Sequence, residues 1–144
     1  METKNILFIC KYNRFRSKVA EAYFKKINKN KNLSVKSAGV IEVNKPLTPK
    51  EKNRSNYIKN KFNLSISPKS RGLDVTLLEK QDKIIIIADD IPKKIFDNWR
   101  WKDKVTIWKI RDEMGDNKKN IDKIVKFIKK KVDKLVKDLE VAKK

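Results

Sequence analysis

Histidine is absent from this 144-residue chain, cysteine occurs once, and there are only three glycines and four prolines. The missing histidine excludes Cys-His proteolysis, zinc fingers and any imidazole general base together. A single cysteine excludes an internal disulfide framework. No apolar stretch reaches the roughly 18 residues that read as a membrane span, and no charged-then-apolar leader ends in a small-residue cleavage site. The expected setting is therefore cytoplasmic, away from any membrane. An enzyme built from this alphabet must work with Cys, Asp, Glu, Lys or Arg.

Negative charge is also scarce: 18 Asp and Glu stand against 38 Lys and Arg, a net charge of +20. Such a field draws in anionic substrates at low salt and supports weak, non-specific contact with nucleic acid. Of the basic residues 32 are lysine, spread along the whole chain. That spread also suits plain solvated faces.

What is present begins with Cys10. An apolar run, Asn5-Ile6-Leu7-Phe8-Ile9, leads into Cys10, then Lys11-Tyr12-Asn13-Arg14-Phe15, then Arg16-Ser17. A Cys-x5-Arg-Ser segment at a strand end has the length to curl around one tetrahedral anion with successive backbone N–H groups pointing inward. Ser17 opens a helix through Phe24, whose positive dipole end faces the same anion. Arg16 offers a planar fork of donors that lysine cannot copy, and Ser17 can donate to a thiolate at Cys10. Lys11, Tyr12, Asn13, Arg14, Phe15 and Ser17 are the candidate phosphate-binding residues, through the loop amides. With no glycine in the loop, Asn13 is the residue that tolerates a left-handed backbone. The alternative is a buried strand-end cysteine followed by an exposed basic loop.

Short apolar runs alternate with amphipathic stretches, the pattern of β-α-β units on a parallel sheet. Length and a 39% hydrophobic content fit one domain over residues 1–144. Strands are expected near 5–10, 33–38, 83–88 and 104–109, giving an α/β fold with a four-stranded parallel sheet and helices on both faces. Thr48-Pro49-Lys50-Glu51 predicts a helix start, with a capping box and proline at the first position; it ends near Phe62. A short helix is expected around Asp74–Lys80, and Asp90 is read as the cap of another beginning near Pro92. Ile121, Ile124, Val125, Ile128, Val132, Leu135, Val136 and Leu139 form a stripe at helical spacing that should cover the sheet. Parallel strands place Cys10-Lys11, Asp89-Asp90 and Arg111-Asp112 on one rim, where open α/β sheets bind ligands. Asp89 and Asp90 read as a solvated loop end and cap; two carboxylates without a third ligand make no metal site. Trp99, Trp101 and Trp108 read as core or cleft wall, and Tyr12 as the aromatic that meets substrate.

Ile6-Leu7-Phe8-Ile9-Cys10 through Asn13, Arg16-Ser17 and Ala20-Glu21-Ala22 resembles the signature loop and first helix of the low-molecular-weight protein tyrosine phosphatase family, which includes thioredoxin-coupled arsenate reductases. Ser37-Ala38-Gly39 and Ile84–Ile87 match later family segments, and Arg71 stands where the family often has an arginine. Asp112 stands where the family carries its general acid, with Glu113 and Asp116 as neighbouring carboxylates. The resemblance implies a cofactor-free phosphatase. Cys10 attacks phosphorus, Arg16 and the loop hold the phosphate, and Asp112 serves as acid and then base. The implied substrate is a phosphorylated protein, chiefly phosphotyrosine, or a small phosphomonoester, and the product is inorganic phosphate. The chain departs from the family pattern at Tyr12, usually glycine, at Phe15, commonly a second cysteine, and at Glu113-Met114, usually proline and an aromatic. Arsenate reductases relay oxidation through additional cysteines; this chain would need an external thiol. The remaining reading is a non-catalytic anion or nucleic-acid binder on the same fold.

Salt separates these readings. Nucleic-acid affinity carried by many lysines should fall steeply as salt rises, while turnover inside a small loop should change far less. Filter binding and aryl phosphate hydrolysis across one salt series will check this, and sequence-selective nucleic-acid binding that survives high salt would favour the binder.

Overall fold

The run from Asn5 to Cys10 has neighbours enough to be buried on both sides, and it becomes the centre of the sheet. In the computed structural model, which describes residues 3–96 and 100–143, β1 (Asn5–Cys10) lies parallel to β2 (Ser34–Gly39) and to β3 (Lys83–Ile87), and β3 pairs parallel with β4 (Val105–Trp108). The strand order is β2-β1-β3-β4. Alternate side chains divide between two cores, as a period of two requires. Ile6 and Phe8 join one cluster with Ile85 and Ile87; Leu7 and Ile9 join the other with Ile84 and Ile86. The sheet is covered on both faces, the usual condition for parallel strands.

The first core is roofed by α1 (Arg16–Ile27), α2 (Pro49–Phe62) and α4 (Lys118–Lys143). On α4 the expected stripe packs inward: Ile121, Ile124, Val125, Ile128 and Val132 are buried, and Leu135, Val136 and Leu139 pack partly buried against them. The second core is closed by α3 (Val75–Glu79), by Phe96 and by Trp101. Trp108 lies in the first core against Phe8, ring centroids 5.9 Å apart, while Trp99 is outside the described residues.

Two expectations need correction. Among the described residues directly after Pro92 the chain forms a 3-10 turn, Lys93–Phe96, in place of the expected α-helix, and Asp90 gives its carboxylate to Arg16. A buried guanidinium exerts a stronger claim on that carboxylate than a short turn at the surface does.

At the start of α2 the capping box is complete: Glu51 N–H donates to Thr48 Oγ1 at 3.1 Å, and Thr48 N–H donates to Glu51 Oε1 at 2.9 Å. Glu51 also receives Arg14, whose Nε and Nη2 donate to its two oxygens at 2.9 and 2.7 Å. That pairing, with help from the Thr48 backbone, pulls the Glu51 carboxyl from 4.5 down to about 2 against the opposing effect of burial. The folded value lies below the unfolded one, so this stabilisation is complete above the ordinary carboxyl range and is lost as pH falls toward 2. Urea unfolding of wild type and Glu51→Gln should therefore differ most near neutral pH, with the gap closing between pH 4.5 and 2. A gap that does not change with pH would show that Arg14 is not what holds the carboxylate.

Candidate active site

Cys10 ends β1 and is buried. The loop after it turns its carbonyls outward. Cys10 O accepts from Val40 N–H, Lys11 O from Ile41 N–H at 2.9 Å, Tyr12 O from the Ser70 hydroxyl at 2.8 Å, and Arg14 O from Arg54 Nη2 at 3.4 Å. In a trans peptide the N–H of the next residue points opposite to the carbonyl. Each outward C=O thus sends the following N–H inward, and the Asn13 N–H donates to Cys10 Sγ at 3.3 Å. Phe15 precedes α1 without a side-chain cap, so the first-turn amides of α1 are left for an anion at the loop.

Asn13 sets the loop's shape. It takes the left-handed conformation, φ 54°, that glycine would otherwise supply. Its fully buried amide donates to Ser17 Oγ at 2.8 Å and to Ser37 Oγ at 2.9 Å, and accepts from Arg71 N–H at 2.8 Å. Ser37 passes its own proton to Glu21 Oε1 at 2.6 Å. Ser17 Oγ accepts from Asn13 and lies within hydrogen-bond distance of Cys10 Sγ, 3.0 Å away. Ser17 Oγ and the Asn13 N–H therefore meet the sulfur from two sides.

Arg16 gathers the rim. Its guanidinium, 1% exposed, donates through Nη1 to Ile110 O at 2.9 Å and through Nη2 to Asp90 Oδ1 at 3.0 Å. Asp112 Oδ2 lies 3.5 Å from Nη2 and Asp89 Oδ1 3.9 Å from Nη1. Arg16 Nε is buried with no partner among the described residues, an N–H that an oxyanion can take.

A cavity of about 290 Å³ opens over Cys10, walled by Tyr12, Val43, Pro46, Arg54, Asp112 and Met114 among others. Of the three neighbouring carboxylates only Asp112 lines it. Glu113 caps the turn toward α4, accepting from Gly115 N–H at 3.0 Å and Asn120 Nδ2 at 2.8 Å; these bonds hold its carboxyl below the ordinary value although desolvation pushes the other way. Asp116 accepts from Asn53 Nδ2 at 3.0 Å. Lys11 Nζ sits over the Tyr12 ring at 5.3 Å. The Arg14 side chain is spent on Glu51 and on the carbonyls of Lys45 and Pro46, so only its backbone serves the loop. Phe15 is buried beneath Arg54, whose guanidinium carbon lies 4.7 Å from its ring centre.

Arg54 escaped the sequence reading. It is buried, donates to Glu113 O and Arg14 O, and so ties the segment carrying Asp112 to the loop after Cys10; desolvation lowers its pKa, opposed chiefly by Asp112. The signal was the scarcity of arginine: three of only six arginines, Arg14, Arg16 and Arg54, converge here. Among the described residues no group of acidic or thiol side chains is arranged to hold a metal ion, and no helix is long and apolar enough to cross a membrane.

A model of the low molecular weight phosphotyrosine protein phosphatase family matches residues 5–144. The chain belongs to that family. No curated protein matches it. Among solved structures it is similar to the low molecular weight protein tyrosine phosphatase of T. tengcongensis, with 22% identity, TM-score 0.78, and coverage of 93% of this chain and 98% of that one. The YwlE arginine phosphatase of Geobacillus stearothermophilus gives 20% identity and TM-score 0.79, covering 96% and 94%. The arsenate reductase of Archaeoglobus fulgidus gives 24% and 0.66, covering 91% and 98%. These likenesses place the fold; the family rests on the match over residues 5–144.

Gly39, at the end of β2, is where the loop backbone comes closest to the sheet. A Cβ on Gly39 would stand 2.8 Å from both Asn13 N and Tyr12 C, too close for either backbone atom to remain in place. Gly39→Ala should displace the loop while the sheet stays folded, weakening inorganic phosphate binding by roughly tenfold to 10²-fold, the scale of a displacement near 1 Å. Calorimetric titration beside circular dichroism will check this; unchanged affinity would mean the loop does not depend on that contact.

Proposed function

We propose that this protein hydrolyses phosphomonoesters through a cysteinyl-phosphate on Cys10, with protein phosphotyrosine as its substrate class. The observation that carries the reading is Cys10 Sγ, held between Ser17 Oγ at 3.0 Å and Asn13 N–H at 3.3 Å, in the same cavity as Asp112. The Cys10 thiolate attacks phosphorus, the S–P bond forms, and the bond to the leaving oxygen breaks as Asp112, in its acid form, hands that oxygen a proton. Asp112 then takes a proton from water; the resulting oxygen attacks phosphorus, the S–P bond breaks and inorganic phosphate departs. Arg16 and the loop amides bear the charge that develops on the equatorial oxygens. In the second step Ser17 eases the departure of sulfur by donating to it as negative charge returns.

Tyr12, Val43, Pro46 and Met114 give the cavity apolar walls that suit an aryl ring, which supports tyrosine over an aliphatic phosphate. The commitments of Glu113 and Asp116 elsewhere support Asp112 as the proton donor. A lone thiol supports hydrolysis over an arsenate-reductase relay, and it belongs in a reducing cytoplasm.

Cys10→Ser should abolish turnover while retaining phosphate binding, because serine does not ionise at neutral pH and the amides remain; substantial residual hydrolysis would end the covalent reading. Asp112→Asn should slow hydrolysis of an ordinary aryl phosphate by roughly 10²–10⁴-fold, with a smaller loss for a strongly activated leaving group. Equal losses across leaving groups of very different basicity would make Asp112 a residue that shapes the site.

A further inference from the structure

On the other side of the loop's scaffold lies a second cavity of about 400 Å³ that shares no lining residue with the Cys10 pocket. Lys18, on the first turn of α1, lines it. The residue is 8% exposed, and its ammonium has no hydrogen bond or ion pair among the described residues. The nearest opposite charge is already taken: Glu21 accepts from Lys25 Nζ at 2.7 Å and from Ser37 Oγ at 2.6 Å. Burial accordingly lowers the Lys18 pKa, with Glu21 opposing. The Lys18 stem is covered while its unpaired ammonium lines the cavity, which adds Lys69 and Arg71 against Glu21 and one further carboxylate, exposed Glu42. Hydroxyls of Ser37 and Ser70 complete a polar wall.

We propose that this cavity is a second oxyanion site that takes a phosphate group, free or esterified, with Lys18 as its buried cation. A tetrahedral dianion supplies the counter-charge Lys18 lacks and accepts from several donors at once, which a single carboxylate cannot do as fully. The site touches the catalytic scaffold directly. Ser37 and the Arg71 backbone hold Asn13, and Ser70 holds the Tyr12 carbonyl, so an occupant bears on the loop from behind. It does not depend on turnover at Cys10.

The test is a titration of the full-length, isotope-labelled protein with inorganic phosphate, following backbone amide shifts. Shifts in the Lys69–Gly72 segment should saturate, and Lys18→Met should weaken that binding by about tenfold or more while shifts around Cys10 still saturate. No saturable shift at residues 69–72 in the wild type, or equal affinity in Lys18→Met, would overturn the proposal. Should Lys18→Met not fold, the double variant Lys69→Gln, Arg71→Gln carries the same expectation of about tenfold, and unchanged affinity there would overturn it equally. If the Cys10 loop binds no phosphate but residues 69–72 do, the phosphatase reading fails and this one stands. Repeating the titration with a phosphoserine peptide identifies the source: tighter binding than inorganic phosphate points to a phosphorylated chain, equal or weaker binding to the free anion, and both outcomes support the shared chemistry.

Discussion

Everything chemical in this molecule hangs on the side-chain amide of Asn13. One carboxamide, fully buried, spends both of its donors and its acceptor on three different segments: the first turn of α1, the end of β2, and the strand-like stretch at Arg71. It holds Ser17 Oγ beside the sulfur, and its left-handed backbone turns its own N–H onto it. A buried amide with all its partners satisfied is rigid, and one that loses a partner is penalised by the full desolvation of the group left behind. The loop therefore has little freedom to sample other shapes, which suits a cradle whose donors must be in place before charge arrives.

Around that amide, three arginines tie the loop to the segments that surround it. Arg16 is neutralised by carboxylates from the ends of two other strands, Arg14 pins the α2 start over the loop, and Arg54 lies across Phe15 with its donors on two loop carbonyls. Guanidinium suits all three places because its flat fork meets acceptors from several directions and remains charged when buried, which an ammonium does less well. In a chain with 32 lysines, three of only six arginines meet at this site.

The readable parts of the sequence were those whose causes are local. The strand, loop and helix carrying Cys10, Asn13, Arg16 and Ser17 are contiguous; the α2 start is written in four residues; the α4 stripe repeats often enough to be unambiguous. What could not be read depends on partners far along the chain. Asp90 looked like a cap because nothing near it in sequence shows that Arg16, 74 residues earlier, would claim its carboxylate. The helix expected after Pro92 shortened to a single turn. Arg54 and Lys18 carried no motif, and their burial is a product of packing among α1, α2 and the loops that no window of neighbouring residues contains.

The distances along the chain have a bearing on when the site comes into being. Arg16 leaves the ribosome early, yet the carbonyl and carboxylate that hold its guanidinium belong to residues 94 and 74 positions later. Until β3 and β4 have paired, that charge has no reason to be indoors, and a growing chain carries the loop without its clamp. Closing such remote contacts is slow compared with forming α1. The loop's own bonds, from Asn13 to Ser17, Ser37 and Arg71, need only the first half of the chain, whereas the guanidinium of Arg16 gains its partners only when the sheet is complete.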